Sequence, residues 1–223
     1  MADDPTSQIW LTSALVESDV QEALTLCCSL KRVLTTRKVG VILSKKLPEV
    51  MVKTLYQGFD YLFYLEENWN TAELNEQDFV KLFPLTMKPF EICVFLSPSM
   101  LAINNCDKVF DDCRSLRHSV LFLTKASGMD VFAMRPCWKV FEGLMKGLLE
   151  TSGTEMEKYI RKSAWTNNYI CDGLSDTYNC LLSAQGFPQL RGENGALLVN
   201  TRDLRLDMNT EELGLFAKVS LVD

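Results

Sequence analysis

Apolar residues along this chain fall into short blocks separated by stretches of helical periodicity, and that alternation predicts its elements. Ile9 to Val16 reads as a strand, after which Val20, Ala23, Leu24, Cys27 and Leu30 recur on one helical face. Ser18, with Gln21 three residues on, has the form of a capping box opening that helix. A second strand is predicted over Lys38 to Ser44, then a helix started by Pro48 and ended just before Gly58, then a third strand over Tyr61 to Leu65. Such an order is that of a parallel sheet covered by helices, so an α/β fold is expected.

The polar run from Asn68 to Gln77 predicts a connecting loop, and a helix follows from about Asp78 to Lys88. The apolar Cys93, Val94, Phe95 and Leu96 then end a buried strand at Ser97-Pro98-Ser99. Short strands are predicted over Ser119 to Leu123 and Val131 to Met134, with a helix launched by Pro136 and reaching about Glu150. Beyond a loop over Thr151 to Thr154, Glu155 to Trp165 reads as a helix and Asn167 to Gly195 as long loops. Three short candidate strands close the chain: Ala196 to Asn200, Asp203 to Leu206 and Phe216 to Leu221. In an open parallel sheet, ligands sit outside the carboxyl ends of the strands, near the point where strand order reverses. Ser97-Pro98-Ser99 stands where such a site belongs.

Composition narrows the function. With 223 residues and 47% hydrophobic content, the chain has material for a full core, and one domain is the first expectation. A net charge of −6 argues against a surface built to neutralise nucleic-acid phosphates. The local basic cluster of Lys31, Arg32, Arg37, Lys38, Lys45 and Lys46 flanks a helix end and a strand, where solvated cations are ordinary. No apolar run approaches the roughly 20 residues that span a bilayer, and the first residues are acidic where a signal peptide is basic. A cytoplasmic protein is expected, with the nucleus left open and no membrane contact.

Eight cysteines lie mostly in apolar surroundings and read as reduced core thiols. Cys27-Cys28 lacks the cationic or helix N-terminal setting of a reactive thiol. Without a C-x-x-C pair, and with His118 the single histidine, a zinc site of the usual spacing is not expected. His118 reads as a surface residue, Asp107, Asp111 and Asp112 as solvated loop carboxylates, and Trp69 as the tryptophan placed to anchor a partner.

At this point a resemblance enters. ALTLCCSL (Ala23 to Leu30) resembles the first helix of the glycogenin-like family 8 glycosyltransferases, and TTRKVGVIL (Thr35 to Leu43) their second strand. Val80-Lys81-Leu82 stands where the family has Thr-Lys-Leu. The run from Cys93 to Asp111 is similar to the family's strand and turn Cys-Val-Phe-Met-Asp-Ala-Asp with the segment behind it. Asp130 to Pro136 resembles the Asn-Ser-Gly-Val-Phe segment, and Ala217 to Ser220 the strand leading to a metal-binding His. The resemblance implies a single Rossmann-like GT-A domain over residues 9–223, after a tail of residues 1–8, with a central mixed, mostly parallel sheet. It also implies that the family's domain continues past Asp223.

Members of that family transfer glucose from a uridine diphosphate sugar with a manganese ion that stabilises the leaving diphosphate. The resemblance places their metal ligands at Ser97, Ser99 and Leu221, none of them an anionic or imidazole ligand. It places the uracil contacts at Val16 and Asp19, and the second acceptor-side Asp at Lys158. Gly128-Met129-Asp130 replaces Asn-Ser-Gly, and of the functional positions Lys81 is retained. Losing one stabiliser of transition-state charge commonly costs about 10²- to 10³-fold in rate. The expectation is therefore a domain that is not an enzyme and holds no metal or cofactor: a pseudo-glycosyltransferase scaffold binding a protein partner and forming a homodimer. The alternatives are a divergent, metal-independent glycosyltransferase using basic side chains such as Lys81, or a nucleotide-sugar-binding regulatory subunit.

Overall fold

β1 (Gln8–Ala14) is buried along its whole length, as a central strand covered on both faces must be. The computed structural model describes residues 5–65, 76–115, 120–124, 129–150, 158–160, 163, 170–174, 180–181 and 198–200. After β1 come α1 (Glu17–Arg32), β2 (Lys38–Leu43), α2 (Glu49–Gly58), β3 (Tyr61–Tyr64), α3 (Glu76–Leu82) and β4 (Ile92–Leu96). β5 (Met100–Ala102), α4 (Lys108–Ser115), β6 (Leu121–Thr124), β7 (Val131–Met134) and α5 (Trp138–Glu150) follow, then β8 (Ile170–Leu174), β9 (Cys180–Leu181) and β10 (Leu198–Asn200).

Seven strands form one sheet in the order β3-β2-β1-β4-β7-β6-β8, and β5-β10-β9 form a second. β3, β2, β1 and β4 run parallel; β7 enters antiparallel to both β4 and β6, and β8 runs parallel to β6. The sheet is mixed and mostly parallel, as expected. Alternation along β1 divides the core: Trp10 and Ala14 pack with the buried face of α1, whereas Ile9 and Leu11 pack with α3 and α5. Gly40 of β2 exists for this packing, since a Cβ there would lie 2.9 Å from the Phe63 ring and 3.0 Å from Ile9 Cδ1.

Several expected boundaries move, each for a local reason. α1 is not opened by Ser18 and Gln21. Its N-cap is Val16, and the Asp19 carboxylate turns back to accept the Val16 N–H at 3.2 Å and the Leu15 N–H at 3.0 Å. The buried face is Val20, Ala23, Leu26, Cys27 and Leu30, with Leu24 only partly covered. Gly58 is the last residue of α2 rather than the one after it, and Phe59 takes the extended conformation that ends the helix. α3 stops at Leu82 and passes into a 3₁₀ turn over Phe83–Thr86, because Pro84 has no N–H to continue the α-helical ladder.

β5, β8 and β9 were not foreseen. β5 follows the Ser97-Pro98-Ser99 turn at once, and β8 and β9 fall inside the stretch read as loops. Residues 158–160 are helical, within the helix expected there. Asp203 to Leu206, Phe216 to Leu221, Trp69, Trp165 and His118 lie outside the described residues. Among the described residues, no helix is long and apolar enough to cross a membrane.

Candidate functional site

β1 is flanked by β2 on one side and β4 on the other, so chain connections leave it in opposite directions and the strand order reverses between β1 and β4. Ligands of open α/β sheets bind outside the carboxyl ends of the strands at that point. The residues there are Leu15 and Val16 after β1, Ser44, Lys45 and Lys46 after β2, and Ser97 to Ser99 after β4. Because β7 runs antiparallel to β4, Asp130, just before β7, reaches the same edge.

The turn after β4 is tightly made. Met100 donates its N–H to the Ser97 carbonyl at 3.0 Å, closing a β-turn with Pro98 at its second position. Ser97 donates twice to Asp130, through its N–H to the carbonyl at 2.8 Å and through its hydroxyl to Oδ1 at 2.7 Å. Ser97 and Ser99 are 3% and 4% exposed. The turn therefore buries its two hydroxyls, while the carboxylate of the corner comes from the neighbouring strand.

Around it, the residues named by the sequence take different roles. Val16 is 52% exposed, and its N–H and that of Leu15 are already taken by Asp19. Asp19 is thus committed to capping α1, which the macrodipole favours. Lys46 reaches across to Glu76 at 2.6 Å and ties the end of β2 to the first turn of α3. Lys81 is half-buried in the last turn of α3, between the buried Val80 and Leu82. Lys158 is exposed on the segment that packs against α5, where the Tyr159 ring lies against Gly147 so closely that a side chain at 147 would collide. Leu221 lies outside the described residues. Val16, Asp19, Ser97 and Ser99 share the switch-point edge.

Asp130 was missed as a partner of Ser97: the sequence reading counted it as a lost sugar contact. The signal that finds it is the antiparallel register of β4 and β7, in which Leu96 faces Val131. A resident manganese ion, implied by the family resemblance, wants several anionic oxygens around one point. Here Asp19 is spent on backbone N–H groups and Asp130 carries the Ser97 hydroxyl. Among the described residues no three acidic, histidine or cysteine side chains gather to hold a metal. The described residues do not fit that ion.

Other candidates resolve into structure. Burial pushes the Cys27 thiol up to about 12, against the opposing pull of Lys31, and it donates to the Gly58 carbonyl at 3.2 Å. Burial likewise pushes Cys106 up to about 12 and Cys93 well above the ordinary thiol range. In the basic cluster, Lys31 donates to the Gly58 carbonyl, Lys38 pairs with Asp60 at 3.0 Å, and Arg37 lies over the Phe110 ring at 5.7 Å. These cations hold the local fold.

Comparison with known proteins gives the class. No protein-family model matches the chain. Its fold is similar to that of the glycosyltransferase GlyE of Streptococcus pneumoniae TIGR4 in its apo form, with a TM-score of 0.69 at 12% identity, over 98% of this chain and 61% of that one. It is also similar to mouse xyloside xylosyltransferase 1, with a TM-score of 0.58 at 10% identity over 86% and 97% of the two chains. The galactosyltransferase LgtC, solved with donor and acceptor sugar analogs, gives a TM-score of 0.57 at 11% identity over 96% and 97%. This is a GT-A glycosyltransferase fold.

In sequence, the chain is 29% identical to Glycogenin-1 of Caenorhabditis elegans over 113 residues. That match spans 47% of this chain and 26% of the relative. The fold is glycogenin-like, as the sequence resemblance implied. The expectation that the chain is not an enzyme is overturned: its relative and its structural neighbours are glycosyltransferases, and they point to an enzyme.

Proposed function

We propose that this chain is a divergent glycosyltransferase that takes a nucleotide diphosphate sugar and meets the charge of the leaving diphosphate with lysines, not with a cation seated on paired carboxylates. The observation that carries the proposal is the turn at the β1/β4 switch, where Ser97 and Ser99 stand buried and the Ser97 hydroxyl is donated to Asp130. Lys45 and Lys46 follow the end of β2, two strands from β4. Neighbouring strands lie about 4.8 Å apart, so the two strand ends are roughly 10 Å apart, a gap that a four-carbon lysine stem largely covers. Lys81 on α3 is the third cation in the proposal, carried over from the family resemblance.

In such a transfer the bond between the anomeric carbon and the diphosphate oxygen breaks, and negative charge grows on the departing group. Lysine ammonium groups that reach the departing oxygens stabilise that charge, Lys46 by exchanging Glu76 for them. The acceptor hydroxyl forms the new bond at the same carbon and gives its proton to the departing diphosphate oxygen, which gains charge as its bond to that carbon breaks.

Calorimetry with uridine diphosphate glucose tests this, in chelator and in added Mn²⁺. Affinity is expected to agree within about threefold between the two conditions, and a coupled assay should detect release of uridine diphosphate in chelator. Binding that vanishes in chelator and returns with Mn²⁺ would falsify the proposal. Binding without release would instead favour a regulatory sugar-nucleotide-binding subunit.

A further inference from the structure

The turn between α1 and β2 holds a strain that nothing in the fold repays. Leu34 stands at φ 59° and is 78% exposed, so a bulky apolar side chain sits in solvent on a left-handed backbone that glycine adopts freely. Strain of this kind persists at places with a task. Ile103, 40% exposed, follows β5 on the neighbouring segment, and Asn105 ties the two segments together by donating its amide to the Val33 and Leu34 carbonyls at 3.1 and 3.0 Å. The Val33 and Leu34 N–H groups are donated in turn to the Ser29 and Lys31 carbonyls at 3.1 and 3.0 Å. Every backbone polar group of Val33 and Leu34 is therefore satisfied within the protein, and the tip leaves water without stranding one.

We propose that this tip docks the protein on an anionic lipid surface, with Leu34 and Ile103 entering the interface and the cations around them meeting the headgroups. The last turn of α1 supplies exposed Lys31 and Arg32 on one flank, and the start of α4 supplies exposed Lys108 on the other. Among the described residues, Arg32 and Lys108 pair with no carboxylate, and Lys31 donates to the Gly58 carbonyl, which leaves its charge uncompensated. The carboxylate bonded into the tip, Asp107, is taken up by Thr35, Thr36 and Trp10. Asp111 and Asp112 lie one turn, about 5 Å, further along α4. Two protruding aliphatic side chains form no groove, so a partner protein would have to bring a pocket shaped to them, whereas a lipid interface accepts any apolar knob. The flanking cations supply the second attraction that a small apolar anchor needs, and their pull fades within a Debye length. Among the described residues no helix is long and apolar enough to cross a membrane, so the contact is peripheral. The tip lies at the amino end of β2, and the candidate site at the carboxyl ends of the strands stays clear of the surface.

Co-sedimentation of the full chain with vesicles tests this, using phosphatidylcholine alone and phosphatidylcholine with about one third phosphatidylserine. The wild-type chain should sediment with the anionic vesicles and not with the neutral ones, and added salt should release it. Leu34→Gly relieves the strain, so a loss of binding in it does not come from misfolding. It should melt higher than wild type and bind the anionic vesicles about fivefold more weakly or worse. Arg32→Gln and Lys108→Gln should each weaken binding by about fivefold, whereas Lys53→Gln, whose lysine pairs with Glu49 on α2, should leave it unchanged. A wild-type chain that sediments with neither vesicle overturns the proposal. So does Leu34→Gly binding as tightly as wild type, or Lys53→Gln weakening binding as much as Arg32→Gln. A photo-crosslinker attached through Leu34→Cys that captures a protein and no lipid also overturns it, and gives the tip to a protein partner instead.

Discussion

Replacing Asp107 with Ala should be the most damaging single change at the amino-end edge of the sheet, opposite the candidate site. Its Oδ1 accepts the Thr35 hydroxyl at 2.5 Å and the Trp10 indole N–H at 3.2 Å, and its Oδ2 accepts the Thr36 N–H at 2.8 Å and the Thr36 hydroxyl at 3.0 Å. One carboxylate thereby joins β1, the turn entering β2 and the start of α4. Trp10 is fully buried and meets Phe110 edge-on, with ring centroids 4.9 Å apart.

A hydrogen bond to a charged group is worth about 1.5–3 kcal/mol, but the four bonds are not lost in full. The Trp10 N–H keeps Thr35 Oγ1 at 3.1 Å, and the Thr36 groups are exposed and turn to water. The part-buried Thr35 contact and the looser join of α4 account for the rest, about 2–4 kcal/mol. At this chain length that lowers the melting temperature by about 4–16 °C. Urea unfolding followed by tryptophan fluorescence reads it directly. Asp107→Asn, which retains Oδ1, should cost only about 1 kcal/mol, and donor affinity should be unchanged in both. A loss below about 1 kcal/mol in Asp107→Ala, or one no larger than in the exposed Asp111→Ala, refutes the reasoning.

Leu34 sits at φ 59° and is 78% exposed at the end of α1, where Leu34 and Thr35 donate to the Lys31 and Leu30 carbonyls. Leu34→Gly should raise stability by about 1 kcal/mol in urea unfolding, because glycine holds this left-handed position without strain. At Asp60 burial pushes the carboxyl up, but the Val39 N–H and the Lys38 ammonium outweigh it and hold it below its ordinary value of 3.8. Its contribution is present above that value and lost as pH falls through the lowered one, so wild type and Asp60→Asn should differ most near neutrality and converge in acid; a constant gap would contradict this. Asp19→Ala removes the cap of α1 and should cost about 1 kcal/mol of stability with donor affinity intact, whereas a selective loss of uridine diphosphate binding would give Asp19 a ligand role. Under native conditions a thiol reagent should modify exposed Cys28 well before buried Cys27, Cys93 and Cys106, and equal rates by mass spectrometry would show the core to be open.

Sequence reading reached the fold through elements whose pattern is local. β1, β2 and β4 are buried strands rich in apolar residues, and the α1 stripe has helical spacing, so the parallel half of the sheet was legible. β5, β8 and β9 were not, because strands of two to five residues without alternation gain their identity from partners distant in the chain. The cap of α1 was misplaced for a similar reason. Ser18 carries the commoner capping residue type, but Asp19 bonds both Leu15 and Val16, two backbone donors at the turn out of β1.

The site shows the same limit more sharply. A motif read along one strand lists the groups that strand contributes, and along β4 it ends in two hydroxyls. Chemistry at the end of a strand, however, belongs to the corner, and an antiparallel neighbour supplies half of it. β7 returns to the same edge with Asp130 facing Ser97, so a carboxylate is present at the turn although the turn carries none. Counting acids along β4 alone predicts an inert pocket. Counting them across the β4–β7 pair gives one carboxylate oriented by Ser97, which no motif along β4 alone contains.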